Sequence, residues 1–310
     1  CLTSTRRVCR RVSHRPTSAM SVFLVAALLA PALSPRPAGP PEEEVVNKLL
    51  TKVGLSTLAE AVGSQRLNWF NKGLDADDAK VVAHVVSVST VLTELDVGGN
   101  AIGDLGVAAI AQALPFSPAL TVVSLGANAI GDAGAAALGE ALRINTVLTT
   151  VSLGGNVIGD KGAAAIAEAL KTNTVLKELV IGSSIGAAGA SALSEALKVN
   201  KALKELSLTG SLGDAGAIAL AGALRVNVAL TALDVRHNSI GTEGGKAIAE
   251  ALEFNGGAGT RVLELTLMGN SIGDAGIAAI GKVLRPNAIT APHLRAQAGK
   301  SSARVAAAWI

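Results

Sequence analysis

The sequence predicts an α/β solenoid, with short parallel strands side by side on one flank and helices on the other. Three observations predict it. First, a 28-residue sentence, LTTVSLGGNVIGDKGAAAIAEALKTNTV over 148–175, is nearly repeated over 120–147 and 92–119. Further copies begin at Leu176, Leu203, Leu230 and Val262, so a single period governs most of the chain. Second, each copy opens on alternating apolar and small polar residues, the period of a half-buried strand, and closes on apolar residues four apart, the period of a helix face. Third, the composition suits a long thin core: 49% of residues are apolar, only 2% are aromatic, and Tyr is absent.

Within the copy at 148–175, Leu148, Val151 and Leu153 point inward from the strand. Asn156 follows on a Gly-rich turn, and Ile158-Gly159-Asp160 leads into the helix. Asp160 is placed to cap that helix, where a carboxylate accepts free backbone N–H groups. Ile166 and Leu170 share one helical face among Ala163, Ala165, Ala167 and Ala169, and Thr172-Asn173 turns the chain back. One such unit cannot bury its own apolar face, so the units stand together as a stack.

The pattern LxxLxLxxNxIGDxGAxAIAEALKxNxx resembles the ribonuclease-inhibitor-like class of leucine-rich repeat. The resemblance covers about 67–287 and extends to the repeat arms of NOD-like receptors and to Ran GTPase-activating protein. It implies a horseshoe with parallel concave strands and convex helices, and an Asn ladder along the turns. Such a fold is a scaffold and does not by itself imply chemistry.

The remaining segments are read against that repeat. Residues 1–41 carry six Arg and no acid, and an apolar run ends in Ala30-Pro31-Ala32. This leader is signal-like, transit-like or disordered. Its apolar run is too short to span a bilayer. Residues 42–66 predict a short helical cap in two pieces, one from Glu42 to about Val53 and one over about 56–62. Leu67 to Thr90 is a degenerate repeat in which Trp69 and Phe70 are expected to plug the core, with His84 at the surface of its helix. Seven regular repeats follow to 287. The units around Gly182-Ser183-Ser184 and Thr209-Gly210-Ser211 lack the Asn held elsewhere by Asn100, Asn128, Asn156, Asn238 and Asn270, which reads as decay or as a functional kink. FNGGAGTR at 254–261 is an inserted surface loop, and 288–310 is a loose tail.

Removing the six leader Arg from the 27 Lys+Arg leaves 21 against 24 acids, so the body is mildly acidic. No basic stripe with aromatics is present, which argues against a nucleic-acid partner. Both cysteines lie in the leader, and the body has no N-x-S/T sequon. The body therefore fits the cytoplasm or an organelle interior better than an exported, disulfide-capped repeat. His14, His84, His237 and His293 are scattered without metal spacing. The Asp row Asp104, Asp132, Asp160, Asp214, Asp274 reads as helix caps, and Glu140, Glu168 and Glu195 pair with Arg143, Lys171 and Lys198 as a solvated face.

These patterns predict a non-enzymatic scaffold that needs no cofactor, metal or small-molecule substrate and no spanning segment in the body. The alternatives are a GTPase-activating protein of the Ran type and a passive structural subunit. The former implies a catalytic Arg beside the Asn turn, and only Arg236 fits, without the family's Arg-Asn-Arg arrangement or acidic tail. The predicted interface is the outward strand face, where solenoids bind partners. Its candidates are Glu94, Asp96, Glu178, Glu205, Asp234, Arg236 and Glu264, and their charge implies a basic protein partner.

Overall fold

The computed structural model describes residues 40–255, 262 and 264–284. The leader before Pro40, most of the inserted loop and the tail from 288 lie outside the described residues. Helices α1 (Glu43–Val53) and α2 (Leu58–Gly63) come first. Strand and helix then alternate: β1 (Arg66–Asn68), α3 (Ala76–Val88), β2 (Glu94–Asp96), α4 (Gly103–Ala113), β3 (Val122–Ser124), α5 (Asp132–Ile144), β4 (Thr150–Leu153) and α6 (Asp160–Leu170). They continue as β5 (Glu178–Ile185), α7 (Ala187–Val199), β6 (Glu205–Gly210), α8 (Gly213–Leu224), β7 (Ala232–Asp234), α9 (Thr242–Asn255), β8 (Glu264–Thr266) and α10 (Gly273–Leu284). A short 3-10 turn, Leu114–Phe116, extends α4.

The strands form one parallel sheet in chain order from β1 to β8. Register is strict where the period is 28: Leu67, Leu95, Val123 and Val151 are opposite one another, and the row continues through Leu179, Leu206, Leu233 and Leu265. That row and the next inward one, from Trp69 through Val97, Leu125 and Leu153 to Leu267, are buried against the helices. Alternation across the pleat therefore turns the intervening residues onto an open face.

α1 is stopped by Gly54 in the left-handed conformation at φ 74°. Lys48 pairs with Asp75 at 2.8 Å, and Lys52 pairs with the fully buried Asp78. These contacts tie α1 to α3, whose N-terminus is closed by a capping box between Asp75 and Asp78.

Two expectations are corrected. The Asp row does not cap its own helices. Asp132 opens α5, and its Oδ1 accepts N–H groups of Gly159 and Gly162 at 2.8 Å, at the start of the next helix, α6. Asp104, Asp160 and Asp214 do the same for Gly131, Gly186 and Gly241. The reason is geometric: Asp132 and Asp160 stand first and Asp104 and Asp214 second in their helices, from where the side chain reaches the adjoining helix end.

Trp69 is buried as expected, but Phe70 is 55% exposed. Being one residue on, it takes the opposite side of the pleat. Its ring lies over Gly98 and Gly99, where an added Cβ would meet it at 3.2 Å.

Asn156 shows how the turn ladder works. Its Oδ1 accepts Asn128 N–H at 2.8 Å and Ile130 N–H at 3.0 Å, and its Nδ2 donates to the carbonyls of Leu125 and Leu153. Where the Asn is missing, extended backbone replaces the turn. β5 and β6 run on to Ile185 and Gly210, and the register shifts between Gly182 and Ile185. Ser211 N–H is committed to Ile185 O. Asn238 Oδ1, the next acceptor in line, is consequently buried without a donor. A second ladder accompanies the first: Asn173, Asn200 and Asn227 donate to the backbone carbonyls of Asn145, Asn173 and Asn200, one unit back.

Candidate functional site: the open strand face

Three rows of side chains cross the open face. The first runs Arg66, Glu94, Val122, Thr150, Glu178, Glu205, Ala232, Glu264, and the second Asn68, Asp96, Ser124, Ser152, Val180, Ser207, Asp234, Thr266. The third, one residue beyond the next inward position, begins with Phe70 and continues through Gly98, Gly126 and Gly154 to Gly182, Thr209, Arg236 and Met268. All seven predicted site residues stand on these rows, but their charges are spent differently.

Glu94 is paired with Arg66 Nε at 3.1 Å. Asp96 turns back to accept Gly98 N–H at 2.9 Å. Arg236 donates from Nε to Asp234 Oδ2 at 2.7 Å, so its guanidinium is held protonated and locked to its neighbour. This bears on the Ran-type reading, because the one Arg beside an Asn turn is already occupied by a carboxylate on its own strand.

The unneutralised acids are gathered toward the later strands. Glu178 and Glu205 occupy paired positions on adjacent strands, about 4.8 Å apart along the sheet. Glu264 lies on the same row two strands on, beyond Ala232. The Glu205 carboxyl is pushed above its ordinary range, first by partial burial and then by the negative charges of Glu178 and Glu264. Thr150 Oγ1 donates to Glu178 Oε2 at 3.3 Å, the one neutral side-chain donor to this acidic row among the described residues.

Three residues of the face at its β1 end are absent from the sequence-predicted set, Arg66, Asn68 and Phe70. All three are legible at an offset of 28 from Glu94, Asp96 and Gly98, but the degenerate repeat was begun at Leu67, one residue inside β1. Among the described residues no three His, Cys, Asp or Glu gather into a metal site, and no helix is long and apolar enough to cross a membrane.

Residues 88–111, 117–139, 145–167, 226–249 and 262–281 each match the family described as Leucine Rich repeat. These five segments are leucine-rich repeats. The span 168–225 between the matched repeats contains the two units whose strands are lengthened. No curated protein matches the chain. Among solved structures, the leiomodin-1 actin-binding site 2 is 17% identical with a TM-score of 0.36, over 60% of this chain and 88% of that one. The tropomodulin C-terminal domain of Caenorhabditis elegans is also 17% identical, with a TM-score of 0.40, over 51% of this chain and 92% of that one.

Proposed function

We propose that this leucine-rich-repeat stack is a non-enzymatic scaffold of the ribonuclease-inhibitor-like kind, holding a basic segment of a partner protein against the open strand face. The observation that carries the reading is the acidic row Glu178, Glu205, Glu264, where partial burial and then the neighbouring carboxylates raise the Glu205 carboxyl. Like charges so placed cost free energy in the free protein, and an incoming Lys or Arg relieves that cost. The middle of the face is Gly, Ser and Thr, which offer backbone but few anchors. Phe70, Glu94 and Arg66 form a second contact zone at the opposite end of the sheet. Such a surface steers a partner quickly and releases it readily, so binding is salt-dependent.

The test uses the full chain and a fluorescent Lys/Arg-rich peptide as probe, followed by anisotropy at low and moderate salt. Glu178→Lys with Glu205→Lys is expected to weaken binding mainly through a slower on-rate, and Glu168→Lys on the helix flank to leave it unchanged. Salt-independent binding that survives the double reversal would sink the reading and favour the passive-subunit alternative.

A further inference from the structure

The helix-to-strand edge of the stack has a chemistry opposite to that of the open face. Twelve large apolar side chains are exposed among the described residues, and eight of them lie on this one edge. Six occupy the same place in successive units, at or near the end of each helix: Val88, Phe116, Ile144, Val199, Val226 and Phe254, with Thr172 the single polar interruption. Val91 and Val228 lie beside them in the connections. Within 172–227 the Asn that follows each position ties one unit to the one before, Asn200 Nδ2 donating to Asn173 O at 3.0 Å and Asn227 Nδ2 to Asn200 O at 3.1 Å, whereas Val88 and Phe116 are followed by Ser89 and Ser117.

Its flank is cationic. The connections 87–93, 115–121, 143–149, 171–177, 198–204 and 225–231 hold seven Lys and Arg and no acid, and the last unit alone places an acid, Glu253, beside its stripe residue Phe254. Four of the seven close helices, where the dipole favours a cation, and are ion-paired to Glu140, Glu168, Glu195 and Glu250. That account does not reach Lys177, Lys201 and Lys204. They lie beyond the helix ends, no ion pair engages them among the described residues, and Lys177 and Lys204 sit side by side, with Lys204 N–H donating to Lys177 O.

We infer that this edge is a docking surface for an amphipathic helix of another protein, apolar on one face and acidic along its flanks. Charge decides the sign of the occupant. Residues 1–39, 256–261 and 285–310 contain no acid, so these three segments do not complement the edge. Spacing decides its shape. Packed helices stand roughly 8–10 Å apart, close to the two turns of about 10.5 Å that separate every seventh residue of a helix. A helix laid across the units thus sets one apolar side chain against each. The stripe residues, four Val or Ile and two Phe, are 42% to 65% exposed and form a shallow surface, suited to being covered and not to projecting the roughly 5–10 Å that interfacial membrane insertion uses. The stack would then carry two partners of opposite charge, a basic one on its face and an acidic one on its edge.

The test titrates the full chain against a synthetic helical peptide with Leu at every seventh position and Glu on both flanks. Val199→Ser with Val226→Ser, and separately Lys177→Glu with Lys201→Glu and Lys204→Glu, are each expected to lower affinity by about tenfold or more. Melting should be unchanged, since these side chains are surface groups. Glu178→Lys with Glu205→Lys should leave the peptide bound, which separates this edge from the proposed face. Undiminished binding in both edge variants overturns the inference. So does binding to phosphatidylserine vesicles without binding to the peptide, which assigns the edge to lipid. An oligomer in sedimentation that the edge variants convert to monomer overturns it as well, assigning the edge to a second copy.

Discussion

At Gly159 a carboxylate 27 residues earlier accompanies one of two backbone conformations. Where the preceding unit carries Asp, as for Gly131, Gly159 and Gly186, the glycine is extended at φ near −100° and gives its N–H to that Asp. Where that place holds Ala76, Ala187 or Thr242, the following Gly103, Gly213 or Gly273 swings to φ 61°, 58° or 68°. Gly103 and Gly213 then donate forward to the carbonyls of Asn128 and Asn238, and the next residues, Ala129 and Ser239, are driven to φ 57° and 54°. The left-handed region costs a non-glycine residue about 1–2 kcal/mol. Ala129→Gly is therefore expected to stabilise the fold by about 0.5–1 kcal/mol after its entropic cost in the unfolded chain. Gly213→Ala should lose about 1 kcal/mol although its Cβ meets nothing. Gly159→Ala at the equivalent place should change little, within about 0.5 kcal/mol. Denaturant melts of the three variants check the ranking, and equal effects would refute it.

Glu205 yields a pH prediction. Its carboxyl is raised in the folded protein, so it takes up a proton at higher pH folded than unfolded. Its partial burial and the neighbouring carboxylates therefore destabilise the fold at neutral pH, and that penalty is relieved as pH falls through the raised value. The same proton removes one charge from the acidic row. Affinity for a basic peptide should fall on mild acidification, and Glu205→Gln should flatten that dependence in a binding titration run across pH.

On the scale of elements, α1 is held to the stack by few groups. Lys52 faces Asp78, a buried carboxylate whose Oδ1 already lacks a donor, and also donates to Gly73 O at 2.8 Å. Removing one partner of a largely buried pair strands the other, at about 3 kcal/mol. Lys52→Met should therefore loosen α1 and the start of α3 first, seen as faster amide exchange over 43–53 with α6 still protected. Asp75 belongs to the same cluster. The hydrogen bond from Lys48, then that from the Asp78 backbone, holds its carboxyl well below the ordinary carboxylate range. Its contribution is thus present at neutral pH and is lost in strong acid, as pH falls from the unfolded value through the depressed one.

For the whole molecule, stability is shared between neighbours, because each unit buries its apolar face only against the next. Leu153 is fully buried in the sheet's second inward row. Leu153→Ala should cost about 2–5 kcal/mol by opening a cavity, with exchange rising in the units on both sides. An unchanged melting temperature would show that the row does not bear the load expected of it.

The sequence by itself determined the repeat, the order of the strands and which strand residues face inward, because a period of 28 and a pleat of two leave little freedom. It also located Glu94, Asp96, Glu178, Glu205, Asp234, Arg236 and Glu264 on one face, since alternation is a local property. Tertiary structure alone decided what those charges do. Arg66 neutralises Glu94 from a strand 28 residues away, Asp234 occupies Arg236, and only Glu178, Glu205 and Glu264 remain as a crowded row. The destination of each Asp carboxylate was likewise hidden. It depends on what the adjoining unit presents in space, and a pattern read within one repeat contains no information about its neighbour's side chains.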